Sequence, residues 1–348
     1  MKSTAAVLIE TGRPLELVEL EVPKLQPGQV LINVKYSGVC RTQVFECRGY
    51  RGEDRFLPHC LGHEGTGEVV ETGSNVTKVT VGDNVVLSWM KGSGADVPGT
   101  VYTSNGVEIN AGAITTFMNY SVLSENRLTR IEKDVPLEES ALIGCAVPTG
   151  IGVLRNSVQV KGGDSVVVYG VGGIGQCVVQ GAKIIGCSEI IAVDVDSYKL
   201  NLAKKMGATH AINALEEEPV SRVNDIVPGG ADYAIEATGK PTVMEQAIRS
   251  VRNRGGSVVV IGNSKHGERL SIDPGELNMG KRIIGTWGGD NDPDKDFPIY
   301  LEMLRSGKLD LKPLISKVYE LDKVNDAIDE LESGEVIRPL IRTSNGAV

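Results

Sequence analysis

The sequence predicts an α/β chain of two domains, one β-rich and barrel-like, the other a doubly wound parallel sheet. Three observations carry that expectation. Short period-2 strands fill roughly the first 130 residues, strands alternate with helices from Asp164 onward, and a glycine-rich turn sits between a buried strand and a helix. At 348 residues there is room for two cores. The change of texture places residues 1–146 with 288–348 in the first domain and 147–287 in the second.

In the first domain, residues 29–36 put Val30, Ile32, Val34 and Tyr36 on one face, the alternation of a half-buried strand. Residues 68–70 and 84–87 read as further short strands, with turns at Pro27-Gly28, Gly73-Ser74-Asn75 and Gly82-Asp83. A helix is expected to open at Leu137. In the second domain, Ser165–Tyr169 is a continuous apolar run, as in a parallel strand covered on both faces. Helices are expected over 175–185, 197–206 and 242–251, and strands over 189–193, 231–236 and 257–261. Residues 298–348 are expected to return to the first domain with two amphipathic helices and one strand.

Composition excludes several classes of function. A net charge of -9 argues against a nucleic-acid partner, since phosphate backbones need clustered Lys and Arg. No apolar run reaches the roughly 18 residues a membrane span requires. The opening MKSTAAVLIETGRP is too soon interrupted for a signal peptide. Glycine is abundant, 42 residues, and aromatics are only 4%, so the cores must rest on Val, Ile, Leu and Ala. Cys40, Cys47, Cys60, Cys145, Cys177 and Cys187 are scattered, which suits reduced thiols in a cytoplasm.

The glycine turn is G-x-G-x-x-G: Gly170, Gly172 and Gly175, with Gly173 and Ile174 between them. Gly170 serves a tight turn, Gly172 lets backbone approach a pyrophosphate, and Gly175 permits close helix–strand packing. The pyrophosphate would sit on the helix N-terminus, where free N–H groups favour negative charge. Asp194 ends the next strand, placed to accept the adenosine ribose hydroxyls and to repel a 2′-phosphate. NAD is therefore expected over NADP, with Lys199 as a further ribose contact. The bland alternative is that Asp194 only caps the following helix.

Three upstream segments carry metal-ligand types: Gly38-Val39-Cys40-Arg41-Thr42, Gly62-His63-Glu64-Gly65 and Ile143-Gly144-Cys145-Ala146-Val147. Their spacing matches no compact zinc pattern, and isolated Cys residues are more often small buried hydrophobes. With the glycine loop, however, these segments resemble the medium-chain, zinc-containing alcohol dehydrogenases over essentially the whole chain. The resemblance implies a GroES-like β-barrel catalytic domain and a Rossmann cofactor domain. It implies that Cys40, His63 and Cys145 hold one catalytic zinc with an open fourth position. Glu64 would be a carboxylate beside that metal, Thr42 would take the substrate's hydroxyl proton, and Arg41 and Arg338 would contact the cofactor pyrophosphate. For either arginine the alternative is a solvated surface position.

The sequence also departs from that family. Residues 89–113 lack the four cysteines of a structural zinc, so one zinc per chain is expected. Gln43 stands where an Asp commonly supports the ligand histidine, and Phe45 where a relay histidine is common. His59 is a candidate replacement relay, though a surface role is the plainer reading. Trp89 is placed to line the substrate pocket. Cys47 and Cys60 read as structural, Cys60 with a minor claim as a rival ligand. The expected substrate is a small alcohol, with a polyol, cyclitol or sugar derivative slightly favoured over simple alcohols. A catalytically silent NAD-binding relative is the contrasting class. The family resemblance further implies a homodimer or homotetramer.

Overall fold

A computed structural model describes residues 1–343. The chain divides into unit 1, Met1–Cys145 with Asp292–Val348, and unit 2, Ala146–Asn291. The divisions therefore fall at Cys145/Ala146 and Asn291/Asp292, against 146/147 and 287/288 drawn from sequence.

Unit 1 opens with β1 (Lys2–Leu8), β2 (Glu16–Glu21), β3 (Gln29–Gly38), helix α1 (Arg41–Cys47) and β4 (His59–Cys60). It continues with β5 (Glu64–Thr72), β6 (Asn84–Ser88), β7 (Val101–Ser104), β8 (Val107–Asn110), β9 (Tyr120–Ser124), β10 (Leu128–Ile131) and α2 (Leu137–Ser140). Strands β1, β2, β7, β8 and β4 close into a barrel, which the expected barrel-like domain anticipated. β3 is not half-buried. Residues 29–32 are buried on both faces: Leu31 joins the barrel core with Leu20 and Tyr102, while Val30, Ile32 and Val34 pack with Val69, Val85 and Leu87. Alternation showed one of these faces; the second exists only because the strand is sandwiched between two clusters.

The cysteine-free stretch is braced by carboxylates and a serine. Ala95 N donates to Glu125 Oε1 (2.8 Å), Ser93 N to Asp294 Oδ2 (2.5 Å) and Val97 N to Ser124 Oγ (3.0 Å). The other Glu125 oxygen takes the N–H groups of Thr77 and Lys78, so this buried carboxylate ties three backbone segments together.

Unit 2 runs α3 (Ala146–Gly152), β11 (Ser165–Tyr169), α4 (Gly173–Ile185), β12 (Glu189–Asp194), α5 (Ser197–Met206) and β13 (His210–Asn213). It ends with α6 (Pro219–Ile226), β14 (Tyr233–Glu236), α7 (Pro241–Ser250), β15 (Ser257–Val260), α8 (Pro274–Asn278) and β16 (Arg282–Gly285). All six strands are parallel in the order β13-β12-β11-β14-β15-β16, so the direction of winding reverses between β11 and β14. Ligands of such sheets bind outside the strand C-termini at that reversal. Asp232 staples three segments here, accepting Ser165 N (2.9 Å), Ser165 Oγ (2.7 Å) and Arg252 Nε (2.7 Å).

The chain then adds α9 (Pro293–Arg305), β17 (Ile315–Glu320), α10 (Val324–Ser333) and β18 (Arg338–Arg342) to unit 1. The sequence reading expected one strand here; there are two. β17 pairs in parallel with β18, and β18 lies antiparallel to β3. The burial of β17 is irregular, with a register shift between Ile315 and Val318, which hides its period.

Candidate metal centre and dinucleotide loop

Three separate segments of unit 1 build the metal centre. Cys40 ends the extended backbone that leaves β3 and is the N-cap of α1. His63 precedes β5, and Cys145 follows the turn of residues 141–144. Their ligand atoms all lie within 4.8 Å of one another, the one such group among the described residues. Packing around Glu64 explains the glycines flanking two of these motifs. A Cβ on Gly38 would lie 2.7 Å from the Glu64 carboxylate, and one on Gly144 would lie 2.8 Å from Glu64 Cβ.

Glu64 is fully buried and meets the Arg338 guanidinium at 3.2 Å. Arg338 is itself 3% exposed and donates from Nη1 to Val39 O (3.2 Å), leaving Nε and Nη2 buried without hydrogen-bond partners. Surface solvation of Arg338 is thus ruled out. Arg41, by contrast, is exposed in the first turn of α1.

The donor chemistry suits zinc. In the metal-free chain Cys40 is held well below an ordinary thiol by the Cys145 S–H, with help from Arg338 and His63 against the cost of burial. Cys145 is pushed up by its bond to that first thiolate and by burial. One negative charge is thereby shared by two sulfurs, and a divalent cation is what allows a second. His63 Nε2 is buried without a hydrogen-bond partner, an orphan polar atom that a metal would satisfy. Two thiolates and one imidazole form a recognised catalytic zinc set.

Thr42 Oγ1 lies 3.8 Å from Cys40 Sγ, which places its hydroxyl at the ligand cluster. Trp89 is half-buried, and its backbone N–H donates to His63 O (3.1 Å), so it is fixed beside the ligand. Phe45 is buried against Tyr50. His59 is neither at the surface nor unattached: Nε2 pairs with Asp54 at 2.9 Å, and Nδ1 lies 3.0 Å from Cys60 O. Cys60 belongs to the barrel core and lies outside the ligand cluster of Cys40, His63 and Cys145, which removes its claim as a ligand; burial pushes its thiol up to about 12. Cys47 is likewise a core thiol, pushed by burial to about 12.

In unit 2 the loop between β11 and α4 is made of backbone. Gly170 has φ +85°, and a Cβ there would strike Thr238 Cγ2 at 2.6 Å. A Cβ on Gly175 would lie 2.1 Å from Gly170 O, so that residue sets how closely α4 leaves the strand. A Cβ on Gly172 would meet nothing within 4 Å. Among the described residues nothing fills the space beside Gly172 at the N-terminus of α4. Gly173, Ile174 and Gly175 form that helix's first turn, whose N–H groups have no intrahelical acceptor.

Asp194 ends β12 half-buried. Its Oδ2 accepts Val171 N (2.8 Å), and its Oδ1 accepts Val195 N (2.8 Å) and Asp196 N (3.1 Å). The cap of α5 is Asp196, not Asp194, which removes the bland alternative. Lys199 pairs with Asp196 at 3.3 Å. Two residues here were missed in the sequence. Gln176, fully buried, donates to Val171 O and Lys199 O, both at 2.9 Å, and so fastens the loop to α5. Glu236, fully buried at the end of β14, accepts Thr238 N (2.7 Å) and Gly239 N (3.1 Å). A single buried Gln or Glu has no periodic signature to betray it.

A buried donor set of two cysteines and one histidine in one unit, and a glycine loop at the winding reversal in the other, define a class: metal-dependent dehydrogenases that use a dinucleotide. Comparison with known proteins agrees. The alcohol dehydrogenase GroES-like domain matches residues 26–133, and the zinc-binding dehydrogenase domain matches residues 173–306. An S-(hydroxymethyl)glutathione dehydrogenase of Synechocystis is 36% identical across 98% of this chain and all of its own. Among solved structures, a zinc-binding-domain alcohol dehydrogenase from Burkholderia ambifaria superposes with TM-score 0.92 at 31% identity, covering 99% of this chain and 100% of its own. Benzyl alcohol dehydrogenase from Acinetobacter calcoaceticus gives 0.90 at 31% identity, with the same coverage. The chain belongs to the medium-chain, zinc-containing alcohol dehydrogenase family. It is a zinc-dependent, NAD-linked oxidoreductase of CH–OH groups.

Proposed function

We propose that this protein oxidises a small alcohol reversibly, with one zinc held by Cys40, His63 and Cys145. The observation that carries this reading is the buried triad, with His63 Nε2 orphaned among the two sulfurs. When bound, zinc supplies Lewis-acid polarisation of the substrate oxygen and NAD accepts the hydride. The chain's own part is to place and to balance charge. Thr42 takes the substrate's hydroxyl proton at Oγ1 as it gives up its own hydroxyl proton towards water. Arg338 offsets the Glu64 carboxylate and the thiolates, and its two unpartnered N–H groups suit cofactor phosphate oxygens, as does the exposed Arg41. The first turn of α4, over Gly172, Gly173, Ile174 and Gly175, receives the pyrophosphate, and Asp194 with Lys199 the ribose. Phe45 has no proton to pass on. His59, committed to Asp54 and Cys60 O, has a structural place that weakens its case as relay.

For the substrate, the sequence slightly favours a polyhydroxy compound, and Trp89, whose backbone N–H binds His63 O, is the candidate to stack on a sugar. A second reading, an alcohol with an aromatic or apolar body, is favoured by the likeness to benzyl alcohol dehydrogenase. NADH formation across a panel of polyols, alkanols and benzylic alcohols separates them. Turnover confined to the last two groups removes the polyol reading, and no turnover with a zinc-loaded chain removes the enzyme reading.

We also propose a single zinc per chain, because the brace of Glu125, Asp294 and Ser124 holds the stretch where relatives carry a second metal; metal analysis near two would refute it. A homodimer or homotetramer fits the edge strand β16, which pairs only with β15 among the described strands. Leu277, Met279 and Trp287 nearby in sequence are 46%, 43% and 77% exposed. A monomer in sedimentation would refute this. A reducing compartment such as the cytoplasm suits six free thiols. No single helix is long and apolar enough to cross a membrane.

A further inference from the structure

An imidazole that gives its Nε2 lone pair to a metal must carry its proton on Nδ1, and that N–H needs an acceptor. In this chain the group waiting there is an amide. Gln43, 1% exposed, has its Nε2 at 2.7 Å from His63 Nδ1. Its Oε1 is already used: it accepts the backbone N–H of Cys40 at 3.0 Å, closing the first turn of α1.

Without metal both ends of the Gln43 amide are satisfied. The amide N–H donates to the Nδ1 lone pair, the amide oxygen takes Cys40 N–H, and the imidazole proton sits on Nε2 facing the sulfurs. With metal the imidazole proton moves to Nδ1, and two donors, Cys40 N–H and His63 Nδ1–H, flank one amide. An amide presents an acceptor on one side and a donor on the other. In its present orientation its NH2 opposes Nδ1–H; rotated by half a turn, its NH2 opposes Cys40 N–H. Either way one buried N–H loses its partner. A carboxylate would accept both.

We infer that Gln43 is a positioning residue that weakens this chain's hold on zinc, because its single amide oxygen can serve Cys40 or the metal-bearing tautomer of His63 but not both. This rests on the zinc reading of the triad. The outcome is a centre from which zinc exchanges more readily than from one with a carboxylate-backed histidine.

The test is zinc affinity, read by competition with a chromogenic chelator at fixed pH. Gln43→Glu, isosteric and with two acceptors, is expected to bind zinc about 10–100-fold more tightly than wild type, the usual reach of a histidine's outer hydrogen-bond partner. Gln43→Asp should shift the same way by less. Equal or weaker binding in a folded Gln43→Glu protein overturns the inference. If the variants do not fold, the wild type still decides: with 15N-labelled glutamine, zinc should displace one buried side-chain amide resonance, and an unmoved Gln43 amide overturns the inference. Failure of the underlying reading looks different. Wild type would then bind no zinc that Cys40→Ser abolishes.

Discussion

The two functional regions are assembled from different material. In unit 2 the dinucleotide loop is backbone, drawn from contiguous residues 169–176 and one carboxylate at the end of the next strand. In unit 1 the metal centre is side chain, drawn from Cys40, His63, Cys145 and Arg338, which only tertiary structure brings together. A backbone site depends on the absence of atoms, the missing Cβ groups of its glycines. A side-chain site depends on the presence of particular donors, and on charges that must balance once buried. The first should therefore fail by crowding and the second by loss of a ligand or a counter-charge.

Removing a ligand should have the largest effect. Cys40→Ser or His63→Ala should abolish zinc binding and lower turnover by at least about 10³-fold, the several kcal/mol that a Lewis acid contributes. NADH binding, followed by fluorescence, should stay within about threefold; its loss would mean that the two regions are not separable.

Next comes the counter-charge. Arg338→Met strands the fully buried Glu64 carboxylate, and the expected loss is about 3–5 kcal/mol in denaturant unfolding. Adding Glu64→Gln should restore most of it, and no recovery would break the charge-balance argument.

The glycines should then divide. Gly172→Ala, with open space around the new Cβ, should leave stability within about 1 kcal/mol but weaken NAD about 10–100-fold, that is ~1.4–2.8 kcal/mol. Gly175→Ala, whose Cβ would meet Gly170 O, should cost both stability and affinity. Equal behaviour of the two variants would show that Gly172 keeps no space for a ligand.

The smallest effect concerns the staple at Asp232. Burial works to raise its carboxyl, but the Ser165 hydrogen bonds and Arg252 outweigh it and hold it below the usual range. Its folded-state pKa is lowered, so the stabilisation is present above the ordinary Asp value of about 3.9 and lost as pH falls through the lowered one. Asp232→Asn should cost about 1–2 kcal/mol near pH 7. That difference should shrink below about pH 4 in urea titrations, and a pH-independent difference would sink the electrostatic account.

The same contrast explains what could be read from sequence. The loop was legible because its grammar is local: an apolar strand, three spaced glycines and a helix, with Asp194 one strand later. Ser165–Tyr169 and Ser197–Met206 were drawn to the residue for the same reason. The metal centre was legible only through family resemblance, since nothing in the spacing of residues 40, 63 and 145 says that they meet. What escaped both routes was contextual. The burial of Arg338 depends on β18 lying against β3. The conflict at Gln43 depends on Cys40 being an N-cap, which turns its N–H into a second claimant on one oxygen. Strands β7 and β8, with four residues each, are too short to display a period.

The discontinuity of unit 1 sets a schedule for synthesis. Unit 2 is one uninterrupted segment and is complete when Asn291 has been made. Cys40, His63, Glu64 and Cys145 are in place well before that, but Arg338 and the strand that carries it follow the whole of unit 2. At bacterial-to-eukaryotic elongation rates the interval from Cys145 to Arg338 is roughly 10–40 s. For that time the growing chain lacks the guanidinium that meets Glu64 in the finished structure. The metal centre is thus closed late in synthesis, from the C-terminal side, on a chain whose cofactor unit is already whole.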